Sequence, residues 1–385
     1  MSSLNVASTI ESHSGRILAL DGIRGFAILI VTVYRFTKEA FPASLVGSSV
    51  ANFIEIGSLG VDLFFVLSGF LITGILLQAK GTDDYFSRFY YRRSLRIFPL
   101  YFLTLTGLLI LLPIFSGSSA IFSEASKNQV FLWTYTSNLK MAWENRWCFG
   151  YLDHFWSLAV EEQFYLVWPL VIYFASKRLL KITLFGVVIC AFSRSLFCAL
   201  LENGVAPDVF VLFRCDGLLL GASVAVLWAQ DPKLTSISRY MPVVFLLAFS
   251  LMGLAFFMGR SLWELTQLLV AICWTSFFVM ALLPKNAKLR RFLELGFLRT
   301  LGKYSYGMYV FQSPLIPILR PFLASSGFGE PLNHSVLERV VYVLTMGIIT
   351  FLAAFVSWHA FESLILRLRD SGPALKSPQV RPTLN

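Results

Sequence analysis

The chain has 385 residues, of which 56% are apolar and only 14% charged, and it carries a formal net charge of +10. A soluble domain of this size carries about a quarter charged residues, so an ordinary water-soluble enzyme is excluded and a polytopic helical membrane protein is indicated. The positive balance would suit a nucleic-acid partner, but the placement of the charges argues against one.

Apolar runs of about 20 residues, each long enough to cross a bilayer, fall at residues 17–36, 59–78, 97–115, 157–176, 182–201, 208–228, 241–258, 263–283, 299–318 and 340–361. The expected fold is all-α, with about ten transmembrane helices around a buried polar cavity. With a cytosolic N-terminus, the inner segments hold 20 of the 32 Lys and Arg, the outer loops hold 7 and the spans hold 5. Cytosolic loops are the ones that carry such an excess. Both termini are therefore expected in the cytosol, the location is an inner membrane crossed many times, and the basic charge is topological.

Residues 1–16 read as a polar cytosolic leader without a small-residue cleavage site, so the first span is expected to be retained. Residues 17–361 form one transmembrane domain with no internal repeat. The connection 116–156 includes VFLWTYTSNLKMAWENRW, too polar to span, which is expected to lie at the interface or fold back over the core. Residues 362–385 read as a disordered cytosolic tail. Cys148, Cys190, Cys198, Cys215 and Cys273 lie mainly in apolar runs without metal-type spacing, so packed thiols and no metal are expected.

An ionisable residue within a span is costly and is a functional hypothesis by default. The first span, LDGIRGFAILIVTVYRF, holds Arg24 and Arg35 eleven residues apart, about 16 Å of helical rise on one side of the helix. Asp21, three residues before Arg24, can pair with it. GVDLFFVLSGFLIT places Asp62 near the outer side. HFWSLAVEEQFYLVWP brings His154, Trp156, Ser157, Glu161 and Glu162, RCDGLLLG brings Arg214 and Asp216, and KYSYGMYVFQSP brings Gln312 to similar depth. Five spans thus offer polar groups at one level, suggesting a single cavity that opens outward; the alternative is a set of ion pairs joining helices. In FYYRRSLRIFPLYF, Arg92, Arg93 and Arg96 meet the third span on the cytosolic side. They are either topogenic charge at anionic lipid or a clamp for a phosphorylated ligand. His13 and His334 read as solvated, and His359 as a satisfied boundary residue beside Glu362.

These motifs together resemble the acyltransferase 3 family, membrane-bound enzymes that include bacterial O-acetylases of lipopolysaccharide O-antigen, Nod factors and macrolides. The resemblance runs over roughly residues 17–361. It implies transfer of an acyl group, usually acetyl, from cytosolic acyl-CoA to a hydroxyl of a carbohydrate or lipid-linked glycan. Acyl-CoA is then a co-substrate, no cofactor is resident, and Arg92, Arg93 and Arg96 become a site for the CoA phosphates. The family's first-span motif is Arg, ten residues, then His; Arg24 matches, but Arg35 stands where the histidine belongs. A second family histidine falls at Gln312. Guanidinium cannot accept a proton near neutral pH, so the proton is expected to pass to Glu161 or Glu162, with His154 next. Arg24 and Arg35 would order the donor or an anionic group, and Asp62, Arg214 and Asp216 would orient the site. Two other readings stay open: a catalytically impaired member that binds acyl-CoA or glycan, and a transporter, which the lack of repeats and paired broken helices disfavours.

Overall fold

The computed structural model describes residues 17–116, 121–201, 204–258, 263–325 and 335–371. The 1–16 leader, His334 and residues 372–385 lie outside the described residues. Every regular element among those described is helical, the form that satisfies all backbone groups within one segment where no water is at hand. The main helices are α1 (Leu18–Ala40), α2 (Gly60–Ala79), α3 (Tyr85–Thr106), α4 (Trp156–Ala175), α5 (Leu179–Leu200), α6 (Asp216–Gln230), α7 (Met241–Met258), α8 (Trp263–Leu282), α9 (Gly296–Phe311) and α10 (Val336–Ser357).

Each of the ten expected stretches falls on one of these helices, but ten crossings do not follow from length and composition. Five stretches are long and apolar enough to cross a membrane alone: Val50–Ala79, Tyr85–Phe115, Gly150–Ala175, Leu179–Leu200 and Val336–Arg367. A sixth is gained if Thr266–Leu282 and Ala287–Leu293, bent by 99°, count as one. Helix α6 is a shorter apolar helix. Helix α9 has 16 residues and hands over, through a turn, to a second helix at Leu315–Ser325. Helix α1 holds Asp21, Arg24, Arg35, Lys38 and Glu39 along its length.

Two boundaries differ from expectation. Helix α3 starts at Tyr85 rather than near 97, so Arg88, Arg92, Arg93 and Arg96 sit on a helix and not in a loop. Hydropathy set the expected boundary, whereas the first turns of α3 are amphipathic and bury Tyr85 and Phe89 while their arginines stay more exposed. At the other end, Ser363–Ser371 is helical rather than disordered. It follows a π-helical turn, Trp358–Glu362, in which His359 Nδ1 lies 2.9 Å from the Phe355 carbonyl and Ser357 Oγ donates to Glu362 at 2.9 Å. His359 and Glu362 therefore take separate partners. Within the 116–156 connection, residues 121–156 fold back onto the core: they bury Phe122, Leu132, Tyr135, Met141, Cys148, Phe149, Leu152 and Phe155. No disulfide joins the five cysteines.

Glycines set the closest helix pairings. A Cβ on Gly25 would stand 1.8 Å from the Leu298 carbonyl oxygen, and one on Gly302 would stand 1.9 Å from that of Asp21, so α1 and α9 touch backbone to backbone. Gly69 and Gly221 do the same for α2 and α6, at 1.9 Å from Leu218 O and 2.0 Å from Val66 O. Small residues that let backbones meet are a principal means of helix association in lipid, where no hydrophobic force drives it. Gly25→Ala or Gly302→Ala is therefore expected to remove most monodisperse protein in detergent size-exclusion profiles. Gly347→Ala on α10, where an added Cβ meets nothing within 4 Å, should leave the profile unchanged.

Candidate active site

Helix α4 enters from a 3-10 segment, Gly150–Phe155, fixed by Asp153, whose Oδ1 accepts the Cys148 and Phe149 amides at 3.2 and 2.8 Å. From there His154 and Glu161, seven residues apart and so two turns, face α1 at two levels. At one level, Arg35 lies within electrostatic reach of Asp153 and His154. The His154 ring stands edge-on to Tyr309, centroids 5.3 Å apart. The Tyr309 hydroxyl donates to the His154 carbonyl at 2.8 Å and lies 2.6 Å from Ser157 Oγ. His154 is 5% exposed, and its ring is within reach of the Tyr151, Tyr309 and Val310 backbone.

At the other level sits Glu161. Ser68 Oγ donates to its Oε1 at 3.1 Å and the Tyr165 hydroxyl to its Oε2 at 2.9 Å. Arg93 Nη2 lies 3.8 Å from the same Oε2, with the guanidinium 3.9 Å above the Tyr165 ring. Arg24, 3.9 Å from Asp21, is within electrostatic reach of Glu161. Tyr309 is within electrostatic reach of both Arg35 and Glu161. Chain numbers rise along α1 as they fall along α4, and the two helices are antiparallel.

Asp62, Arg214 and Asp216 belong to a second, more closed network. Arg214 Nη2 donates to Asp62 at 2.8 Å and its Nη1 meets Gln267, which donates to Asp208 at 3.2 Å. Arg194 pairs with Asp216 at 2.9 Å and with the Phe213 carbonyl. Both ion pairs are almost wholly buried. Trp156 joins this network to α4, its ring edge-on to Phe65 and 5.3 Å from the Arg214 guanidinium.

One expected grouping comes apart and one residue stays at its expected level. Arg92 and Arg96 are exposed, while Arg93 turns inward to the glutamates, so the three arginines do not form one clamp within the structure. Gln312, buried, accepts from Thr32 Oγ1 at 3.4 Å, one turn below Arg35 on α1. Several partners were not foreseen: Arg194, Asp208, Gln267, Ser68, Tyr165, Tyr309 and Thr32. Arg194 carried the same signal as the rest, a charge within an apolar run. The uncharged ones carried none. Burial, with the Glu144 carboxylate beside it, pushes the Cys148 thiol up to about 11, which removes it as a thiolate nucleophile. Among the described residues no group of His, Cys, Asp and Glu could hold a metal ion.

A family model described as an acyltransferase domain, acyltransferase 3, matches residues 17–359. O-acetyltransferase OatA of Staphylococcus aureus is 27% identical over 92% of this chain and 58% of its own length. Peptidoglycan O-acetyltransferase OatA of Listeria monocytogenes is 27% identical over 79% of this chain and 50% of its own. YrhL of Bacillus subtilis, provisionally named a peptidoglycan O-acetyltransferase, is 26% identical over 92% and 55%. The chain spans about half the length of these curated relatives. No solved structure matches.

Breaking one member of a buried ion pair costs roughly 3–5 kcal/mol because it strands a charge. Arg194→Met should therefore lower the thermal midpoint in detergent sharply, and Arg194→Met with Asp216→Asn should recover more than half of the loss.

Proposed function

The chain belongs to the acyltransferase 3 family, and from that premise we propose that it is a membrane O-acyltransferase. It moves an acyl group, acetyl in the simplest case, from cytosolic acyl-CoA to a glycan hydroxyl. The relatives' names favour a peptidoglycan-type acceptor. The proposed topology keeps ten crossings and cytosolic termini, with Arg92 and Arg96 at the inner end of α3 offering charge to the CoA phosphates.

The observation that carries this reading is His154: buried, its ring edge-on to Tyr309, and held beside Arg35 at the position where the family motif has its histidine. Imidazole is the side chain whose ordinary pKa suits proton transfer near neutrality. In the proposed step His154 takes the proton of the acceptor hydroxyl as its oxygen bonds to the thioester carbonyl carbon. The C–S bond then breaks, and the proton passes from His154 to the departing thiolate, releasing free CoA. Arg35 cannot accept that proton but can hold the carbonyl oxygen as negative charge develops on it. Glu161 is less suited to be the base, since Ser68, Tyr165 and Arg93 occupy its oxygens. It acts as a positioning residue, tying α2, α3 and α4 together beside Arg24. The Asp62–Arg214 and Arg194–Asp216 pairs hold the helices that present Trp156. A second reading, an impaired member that binds acyl-CoA or glycan, rests on Arg35 itself.

Transfer of radiolabelled acetyl from acetyl-CoA, in membranes expressing the chain, tests both readings. His154→Gln should lower the rate by about 10²–10⁴, the range for losing a general base, and Glu161→Gln by a smaller factor. Arg35→His should slow an active parent. A gain of transfer from a silent parent would instead establish the second reading.

A further inference from the structure

Four buried polar atoms on α3, α4 and the 116–156 connection have no partner: Arg93 Nε, Glu162 Oε1, the Tyr135 hydroxyl and Ser137 Oγ. The first three come from α3, α4 and the folded-back connection; Tyr135 packs on Phe98 and Tyr101 of α3 and is bonded through its carbonyl to Gln163, next to Glu162, with Glu162 and Arg93 within electrostatic reach. An unpaired buried polar atom costs roughly 1–3 kcal/mol, so three together signal a place kept for something else. The neighbouring tyrosines sharpen the contrast. The Tyr101 hydroxyl donates to the Leu132 carbonyl at 2.8 Å and that of Tyr306 to the Ile97 carbonyl at 2.6 Å. Only Tyr135, 8% exposed, keeps its hydroxyl unspent among these three.

The placement of Tyr135 is held firmly. Its ring stacks on Tyr101 with centroids 4.3 Å apart and planes 22° apart, and it packs against Phe98. Its backbone takes φ +53°, a left-handed value that costs a side chain-bearing residue about 1 kcal/mol or more. A reciprocal amide pair offsets that cost. Asn138 and Gln163 each donate to the other, at 3.2 and 2.8 Å, and Gln163 also donates to the Tyr135 carbonyl at 2.9 Å. Asn138 further reaches the Val209 carbonyl at 3.3 Å. The turn is thereby pinned to α4 one residue beyond Glu162.

We propose that Tyr135, Arg93 and Glu162 form a binding site for a secondary amide. The Arg93 Nε–H and the Tyr135 O–H donate to its carbonyl oxygen, Glu162 accepts its N–H, and the Tyr101, Tyr135 and Phe98 rings wall the flanking carbon atoms. The site deepens the transferase reading and rests on it. Two ligands of that reaction bear such an amide: the pantetheine arm of the donor, and an acetamido sugar as acceptor.

Binding to the purified full chain in nanodiscs, by equilibrium dialysis, tests the site without turnover. The amide probes are pantetheine and the N-acetylglucosamine trimer; their amide-free controls are 3′,5′-ADP and the glucosamine trimer. Tyr135→Phe keeps the ring and removes only the hydroxyl. It should weaken one amide probe about 5–10-fold, the worth of one hydrogen bond, and leave the controls unchanged. Which probe responds tells donor from acceptor. Its thermal midpoint should be equal to or above that of the parent, since the hydroxyl has no partner to lose. Equal binding of both amide probes by parent and variant, binding of neither by the parent, or a lowered midpoint would overturn the site. Absence of acetyl transfer would sink the transferase reading while leaving this binding result to stand or fall alone.

Discussion

The candidate site depends on how closely two helices from opposite ends of the chain approach each other. Helix α1 carries Arg24, Thr32 and Arg35, and α9 carries Tyr309 and leads into Gln312. Their relative height is set where Gly25 and Gly302 let backbone meet backbone. Lipid offers helices no solvent-driven reason to associate, so contact area and close approach must supply it. A methyl group at either glycine would overlap a carbonyl oxygen, and the overlap could be relieved only by moving α1 away from α9. That displacement would carry Arg35 from Tyr309 and Thr32 from Gln312 together. Glycine here matters for what it lacks, a Cβ, rather than for any unusual dihedral.

The buried charges fall into two kinds, and the difference lies in how completely they are satisfied. Around Asp62, Arg214, Arg194 and Asp216, both Asp216 oxygens, Asp62 Oδ1, Arg194 Nη1 and both terminal Arg214 nitrogens have partners within the protein, and only Arg214 Nε is left without one among the described residues. Such a network joins α2, α5, α6 and α8 and resists change, because removing any member strands another in low dielectric. Around Tyr135, Glu162 and Arg93 the accounting stays incomplete. Both kinds lie near α4, and Trp156 touches the first while Ser157 and Glu161 belong to the second. One helix thus presents a rigid side and a receptive side, beginning one residue apart in sequence.

Much of this was legible in the sequence, and what escaped has definite causes. The helical stretches and the polar residues on α1, α2, α4, α6 and α9 follow from hydropathy broken by charge. The start of α3 did not, because hydropathy marks where a helix becomes apolar, not where it begins; the error placed Arg93 in a loop although it reaches Glu161. Ser68, Thr32, Tyr165 and Tyr309 escaped because an uncharged polar side chain in an apolar run costs little and stands out little. Arg194 had the signal and was passed over, its partner Asp216 lying 22 residues along the chain. The inward turn of Tyr135 had no signal at all. It depends on Asn138 and Gln163 finding each other across a connection that composition marks only as too polar to span.

The arginine at position 35 makes physical sense once α4 is placed. A base and a cation serve opposite needs at one reacting carbonyl, and they need not come from the same helix. Helix α1 supplies fixed positive charge at two heights, about 16 Å apart by helical rise, and the 3-10 segment and α4 that follow each other supply His154 and Glu161 on the facing side. Antiparallel packing matches the upper cation to the histidine and the lower one to the carboxylate. Replacing a histidine on α1 by arginine therefore removes one titrating group from a level that still holds another, and adds a charge that no pH near neutrality can discharge. In the proposed transferase reaction the chemistry at that level is divided between elements, with proton transfer assigned to His154 in the segment leading into α4 and charge stabilisation to Arg35 on α1.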